Sequence, residues 1–187
     1  MNRIHHWYCQ SSSWTRRVNT KLMPWALGGA KLELPALEIG PGPGITTDYL
    51  RARLNSLTVL EHDPVLAKKL RDRFRDRNVE VIEGDATAMP FQTGAFQTVF
   101  CFTMLHHVSP ASLQDRVIGE ALRVLAPGGT FVGTDSRVSL RMKLFHWFDT
   151  MVIVDPDTFP ERLRGAGFSD ARVDLAEGAF CFCATRP

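Results

Sequence analysis

The chain has 187 residues, 44% of them hydrophobic and 22% charged, with a net charge of +2 at neutral pH. This is the make-up of an ordinary globular domain, large enough to bury a core without a metal or disulfide staple, and the small net charge points to no particular partner. The cysteines, Cys9, Cys101, Cys181 and Cys183, lack C-x-x-C spacing, and Cys181 and Cys183 alternate along one predicted strand and point the same way. Free thiols in a reducing cytoplasm are therefore expected. No signal-peptide pattern opens the chain and no apolar run reaches about 18 residues, so a cytoplasmic protein is expected.

Residues 1–32 carry Arg3, Arg16, Arg17, Lys21 and Lys31 and no acid, with Trp7, Tyr8, Trp14 and Trp25 interleaved. The spacing of Trp7 with Trp14, and of Val18 with Leu22, predicts two short amphipathic helices, ended by Pro24 and by Gly28-Gly29. This segment is either a cap that packs its aromatics on the core, or a lid whose arginines meet an anionic substrate or a membrane surface. His5, His6 and Cys9 lack a fourth ligand, so no metal site is expected.

Leu37 to Thr47 reads as a buried strand, a glycine-rich turn and the start of a helix that continues through Asp48, Tyr49 and Leu50 to about Leu54. Such a turn brings backbone N–H groups and a helix N-terminus up to a ligand, and glycines at 40, 42 and 44 let the backbone approach without Cβ clashes. A dinucleotide fingerprint would put its third glycine at position 45, where the chain has Ile45. The pattern is instead E-x-G-x-G-x-G, with Glu38 placed to attract an ammonium group.

A second strand, Leu57 to Glu61, ends in an acid near the roughly 20-residue offset at which a carboxylate meets a ribose in βαβ nucleotide folds. Asp63-Pro64 caps a helix from Val65 to about Arg77, whose Lys68, Lys69, Arg71, Arg73, Arg75 and Arg77 read as a solvated face. Val79 to Ala86 forms a third strand with a turn at Gly84-Asp85. Glu38, Glu61 and Asp85 thus end three successive predicted strands, where open α/β sheets bind ligands. Phe96 to Phe102 is a fourth strand, followed by Thr103 to Val108. A helix from Ser109 to Leu125 opens on Ser109-Pro110 as cap and first turn. Ala126-Pro127-Gly128-Gly129 then turns the chain into a fifth strand, Thr130 to Thr134. Leu140, Leu144, Phe148 and Met151 recur at helical spacing, so 138–152 is a lid or a core helix. A helix from Pro156 to Gly165 and a strand pair, Phe168 to Leu175 and Ala179 to Thr185, complete the chain.

The glycine turn, Glu61, Gly84-Asp85-Ala86 with Met89-Pro90-Phe91, and Arg123 to Gly129 resemble, in order and spacing, the class I S-adenosylmethionine (SAM)-dependent methyltransferases that act on small molecules. Leu105-His106-His107 is similar to the Leu-His-His of the ubiquinone and menaquinone biosynthesis type. The resemblance spans about Leu37 to Thr134. It departs at Gln97, where the family usually carries aspartate. It implies an α/β, Rossmann-like three-layer sandwich whose seven-stranded sheet has the order 3-2-1-4-5-7-6 with an antiparallel last strand. Within one domain, 1–32 would be a helical cap, 33–135 the SAM-binding core, 136–167 a lid region and 168–187 the strand pair.

The implied cofactor is SAM, leaving as S-adenosylhomocysteine. Its site would be built by Glu38, Gly40, Pro41, Gly42, Gly44, Glu61, His62, Gly84, Asp85, Ala86, Phe102 and Thr103. Asp85 would accept from the adenine amine, and the Ala86 amide would meet a ring nitrogen. His106, His107 and His146 are the candidate bases. Cys101-Phe102-Thr103-Met104 lacks the (N/D/S)-(P/L/I)-P-(Y/F) tetrapeptide of enzymes that methylate exocyclic base nitrogens, which argues against a nucleic-acid acceptor. The expected function is methyl transfer to a small or lipid-like, or anionic, acceptor. The alternatives are a SAM- or adenosine-binding protein without turnover and an NAD-binding oxidoreductase.

Overall fold

The computed structural model describes residues 11–137 and 151–187. Seven strands, β1 (Ala36–Ile39), β2 (Leu57–Glu61), β3 (Val79–Glu83), β4 (Phe96–Phe102), β5 (Leu125–Ser136), β6 (Ser169–Ala176) and β7 (Ala179–Thr185), form one sheet. Their order is β3-β2-β1-β4-β5-β7-β6, as expected. The first five strands pair in parallel, and β7 runs antiparallel to both β5 and β6.

The period-two alternation of strand side chains sorts the core into two halves. Leu37, Ile39, Val99, Cys101 and Phe131 pack with Val117, Ile118, Ala121, Phe159 and Leu163, under the helices Ala111–Val124 and Phe159–Ala166. Ala36, Leu57, Val59, Phe100 and Phe102 pack with Val18, Leu22, Met23, Tyr49 and Leu50 on the opposite face. Glu38 and Glu61 follow the parity of Ala36 and of Leu57 and Val59, so both carboxylates belong to the face that the N-terminal segment covers.

That segment departs from expectation. Ser12–Arg17, a π-helical stretch Val18–Leu22 and Met23–Leu27 follow one another without a break, so Pro24 does not end a helix. The wider π turn, closed by the Met23 N–H on the Val18 carbonyl, leads into a segment in which Pro24 occupies a first-turn position that needs no N–H. Trp7, Tyr8 and the candidate ligands His5, His6 and Cys9 lie outside the described residues, as does most of the 138–152 segment.

Several boundaries are shorter than the sequence pattern predicts. The helix after the glycine turn spans Ile45–Arg51, and its neighbour spans Pro64–Phe74 rather than reaching Arg77. Asn78 accounts for part of this, because its Nδ2 donates to the carbonyls of Arg51 (3.1 Å) and Leu54 (2.5 Å), satisfying acceptors at the end of the first helix. The Ser109 cap does not form: Pro110 stands in extended conformation at the N-cap of Ala111–Val124, without a side-chain capping bond. The P-G-G stretch is an irregularity inside β5 rather than a break before it. Gly128 and Gly129 exchange backbone hydrogen bonds with Arg186 there, which keeps the stretch in the sheet.

Candidate functional site

The glycine turn follows β1 and crosses onto β2. Gly40 (φ +62°) donates its N–H to the Leu60 carbonyl at 2.8 Å, and a Cβ on it would fall 2.4 Å from Met104 Cγ. Gly40→Ala is expected to lose about 1–2 kcal/mol for the left-handed backbone alone, more if Met104 cannot move aside; urea unfolding measures it. Gly42 (φ +55°) differs, since nothing lies within 4 Å of where its Cβ would stand, so the turn presents bare backbone to open space. Gly44 is the N-cap of Ile45–Arg51, with its N–H on the Pro41 carbonyl at 3.0 Å.

Three acids stand at the ends of β1, β2 and β3. Glu38 is 1% exposed, and its two oxygens accept the hydroxyls of Thr46 (2.5 Å) and Thr47 (2.6 Å). Burial pushes its pKa up to about 7, against the lowering pull of the two hydroxyls and with a further raising contribution from Glu61. Glu61 accepts the N–H of Gly42 and of Asp63, each at 3.0 Å. Burial raises its pKa, while these backbone bonds pull it back. A carboxylate has about four lone-pair sites, so Glu61 can hold the turn and still accept from a diol. Asp85 is exposed and accepts the Thr87 N–H at 2.8 Å, an Asx turn that holds its pKa below the usual carboxylate range.

The remaining residues of the expected site lie around these acids. Gly84 donates to the Glu61 carbonyl at 3.0 Å and Thr103 (φ +49°) to the Thr134 carbonyl at 2.7 Å. Pro41 and Phe102 are buried, Ala86 half-buried and His62 exposed. The segment after Asp85 is tied down by Arg123, which donates to the carbonyls of Met89 (3.0 Å) and Phe91 (2.7 Å). Glu120 pairs with Arg123 and accepts the Met89 N–H at 2.7 Å.

Of the candidate bases, His106 is buried in the short 3₁₀ turn Leu105–His107, with Nδ1 2.5 Å from Asp135 Oδ1. Asp135, fully buried near the end of β5, also accepts the backbone N–H of His106 (3.1 Å) and of Ser136 (2.6 Å). The His107 ring lies 4.1 Å from that of His106. His146 falls outside the described residues. Asp135, Thr46, Thr47 and Arg123 escaped the sequence reading as functional positions. An acid closing a predicted strand, the signal that singled out Glu61, would have found Asp135. Among the described residues no cluster of ligating side chains could hold a metal ion.

The arrangement suits SAM on three counts. The bare backbone at Gly42 leaves room for a ligand, a strand-end carboxylate with spare acceptor sites suits a ribose, and a second buried carboxylate beside the same turn suits an ammonium.

Comparison with known proteins agrees. A family model described as a methyltransferase domain matches residues 37–133, just over half of the chain. An ornithine lipid N-methyltransferase of Singulisphaera acidiphila is 36% identical over 129 residues, covering 65% of each chain. A 2-methyl-6-phytyl-1,4-hydroquinone methyltransferase of Oryza sativa is 29% identical over 172 residues, covering 86% of this chain and 46% of that protein. A probable ribosomal RNA small subunit methyltransferase A of Thermococcus onnurineus is 47% identical over only 55 residues, 29% of this chain and 20% of that one. The chain thus spans less than two thirds of the length of these relatives. Among solved structures, a SAM-dependent methyltransferase of Thermotoga maritima, titled a possible histamine N-methyltransferase, superposes with a TM-score of 0.76 at 19% identity over the whole of both chains. The glycine turn, the strand order and the matched model converge: the chain belongs to the methyltransferase domain family.

Proposed function

We propose that the protein transfers a methyl group from SAM to a small or lipid-like acceptor. The observation that carries this reading is the set of three strand-end acids around one glycine turn, with Glu61 bonded directly to Gly42. When bound, the cofactor supplies an electrophilic methyl group on a sulfonium. Glu61 takes the ribose hydroxyls, Asp85 the adenine amine, the Ala86 N–H a ring nitrogen, and Glu38 favours the ammonium. Gly40, Pro41, Gly42 and Gly44 offer backbone to the amino-acid end, while His62, Gly84, Phe102 and Thr103 border the adenosine.

Holding an acceptor at about 3–3.5 Å can supply up to roughly 7–11 kcal/mol of the barrier, and a base about 10²–10⁴-fold more. His106 has the best support as that base. With Asp135 accepting at Nδ1, the neutral imidazole keeps its lone pair on Nε2. His107 and His146 are the other candidates. The reading of 1–32 as a cap and 136–167 as a lid around a 33–135 core belongs to the same proposal.

The ornithine lipid and phytyl-hydroquinone named for two relatives support a lipid-like acceptor. Against a nucleobase acceptor stands Cys101 to Met104, which lacks a base-clamping tetrapeptide. No described helix is long and apolar enough to cross a membrane, and action in the cytoplasm, on a dissolved or membrane-surface acceptor, is part of the proposal.

Thermal unfolding with SAM, S-adenosylhomocysteine and NAD tests the cofactor site. At 100 times its Kd a ligand adds about 2.7 kcal/mol of stability, and Glu61→Ala or Asp85→Ala is expected to weaken SAM about 10- to 100-fold, at about 1.5–3 kcal/mol per charged hydrogen bond. Stabilisation by NAD but not SAM would overturn the reading. Release of S-adenosylhomocysteine with amino-lipid or quinol acceptors, but not with RNA, is the expected turnover result.

A further inference from the structure

A cavity of about 470 Å³ lies on the outer flank of the glycine turn, in the size range of small-molecule pockets; Gly42, whose N–H bonds Glu61, lines it, but none of the three strand-end acids does. The π-containing N-terminal run walls one side of it through Thr15 and Asn19. The rest divides by chemistry. Pro43, Ile45, Leu66 and Leu70 supply an aliphatic lining, and Lys69 and Arg73 supply cations. Asp48 also lines the cavity, but Arg51 (3.0 Å) and Arg73 neutralise it, and Arg73 donates a further N–H to the Pro43 carbonyl at 2.6 Å. Lys69, by contrast, makes no ion pair or hydrogen bond among the described residues.

Two features of the rim give this free cation a direction. Val65, one helical turn before Lys69 on the same helix, is 60% exposed, unusual for a β-branched apolar side chain. The N-terminal run that supplies Thr15 and Asn19 to the opposite wall also carries exposed Arg16, Arg17 and Lys21, of which Arg17 donates to the Glu177 carbonyl (3.4 Å), in a segment without an acid. An aliphatic groove with one unpaired ammonium, an exposed valine at its lip and a basic, acid-free helix beside it is complementary to an anionic amphiphile at an interface. It does not suit single-stranded nucleic acid, because no aromatic platform lines it.

The geometry points to this cavity as the seat of an anionic membrane-lipid headgroup: Lys69 meets the phosphate, Ile45, Leu66 and Leu70 meet the carbons beside it, and Val65 enters the bilayer interface. Docked this way, the protein holds the flank of its glycine turn against the membrane.

Sedimentation of the full chain with vesicles of phosphatidylcholine alone, or mixed with phosphatidylglycerol, tests this without knowledge of the methyl acceptor. Binding is expected to the mixed vesicles only. Lys69→Glu should weaken it about tenfold or more, and Val65→Ser severalfold. Lys68→Glu makes the same charge change one residue away, at a side chain outside the cavity that pairs with Asp72, and should weaken it no more than about twofold. SAM should stabilise Lys69→Glu as it does the natural chain, since Gly42 alone lines both the headgroup seat and the proposed cofactor site and Lys69 belongs only to the former. Four outcomes overturn the proposal: no preference for anionic vesicles, equal losses in Lys68→Glu and Lys69→Glu, complete release by inorganic phosphate alone, or loss of the SAM response in Lys69→Glu. The first three leave the cofactor reading intact.

Discussion

Asp135→Ala is expected to cost about 3–5 kcal/mol, because it leaves buried hydrogen-bond donors without an acceptor at about 1–3 kcal/mol each. In a chain of this length that lowers the midpoint of thermal unfolding by roughly 10 °C. The cost is large because one carboxylate serves three donors, the His106 ring and the backbone N–H groups of His106 and Ser136, where no solvent can replace it. Those groups belong to the tips of β4 and β5, so their loss also loosens the edge of the sheet at which acceptor and cofactor would meet. Asp135→Asn keeps an acceptor for the backbone but turns an amide donor toward Nδ1. It is expected to be milder, about 1–3 kcal/mol, and to shift the His106 proton to Nε2. Urea unfolding reads the first effect, and nitrogen NMR of the imidazole reads the second. Wild-type stability in Asp135→Ala would remove the pair from any account of this edge, and an unchanged tautomer in Asp135→Asn would remove the reason for favouring His106 as base.

The second large effect is a pH dependence set by Glu38. Its folded-state pKa of about 7 stands above the ordinary 4.5, so between these values the folded protein holds a proton that the unfolded chain has released. Protons therefore favour the folded state. The contribution is present in full below about pH 4.5, declines as pH rises and is gone above about pH 7, a change of roughly 3 kcal/mol. Glu38→Gln keeps an acceptor and a donor for the threonine hydroxyls and cannot titrate. Since Glu61 also titrates from a raised value, the informative quantity is the wild-type minus variant difference in unfolding free energy. A flat difference across this range would overturn the assignment.

The same proton couples to the ligand. An ammonium placed beside Glu38 favours the carboxylate, so SAM affinity should rise with pH toward 7 in the natural protein and stay flat in Glu38→Gln. Titration calorimetry below about pH 7.5 keeps clear of the ligand's own α-amino group, which ionises near 7.7–8.0.

Much of the fold was legible because its signals are local. The bounds of β7, Ala179–Thr185, coincide with a short run set between Gly178 and Arg186, and the glycines at 40, 42 and 44 announce a turn whose left-handed backbone other residues adopt only at a cost. Strand order could be expected only through resemblance, since nothing in residues 168–187 says where their strands insert. Helix ends were less legible. The charge pattern continues to Arg77, but the helix stops at Phe74, and a distant side chain, Asn78, meets the carbonyls of Arg51 and Leu54. Pro24 reads as a terminator and is not one, because a π turn precedes it.

At the candidate site the division is the same. The sequence by itself determined which groups could do chemistry there: a glycine turn, acids closing three strands, and a pair of histidines. Only the tertiary structure decided their partners. Thr46 and Thr47 fold back onto Glu38, Glu61 reaches across to Gly42, and Asp135 meets His106 over 29 residues of chain. Lys69, one cation among many on a helix face that reads as merely solvated, becomes the unpaired member of a cavity wall. Periodicity and turn chemistry act over a few residues and are written in the chain. Burial, pairing and the resulting shift of a proton arise when the sheet brings distant segments side by side, and that adjacency is a property of the assembled fold.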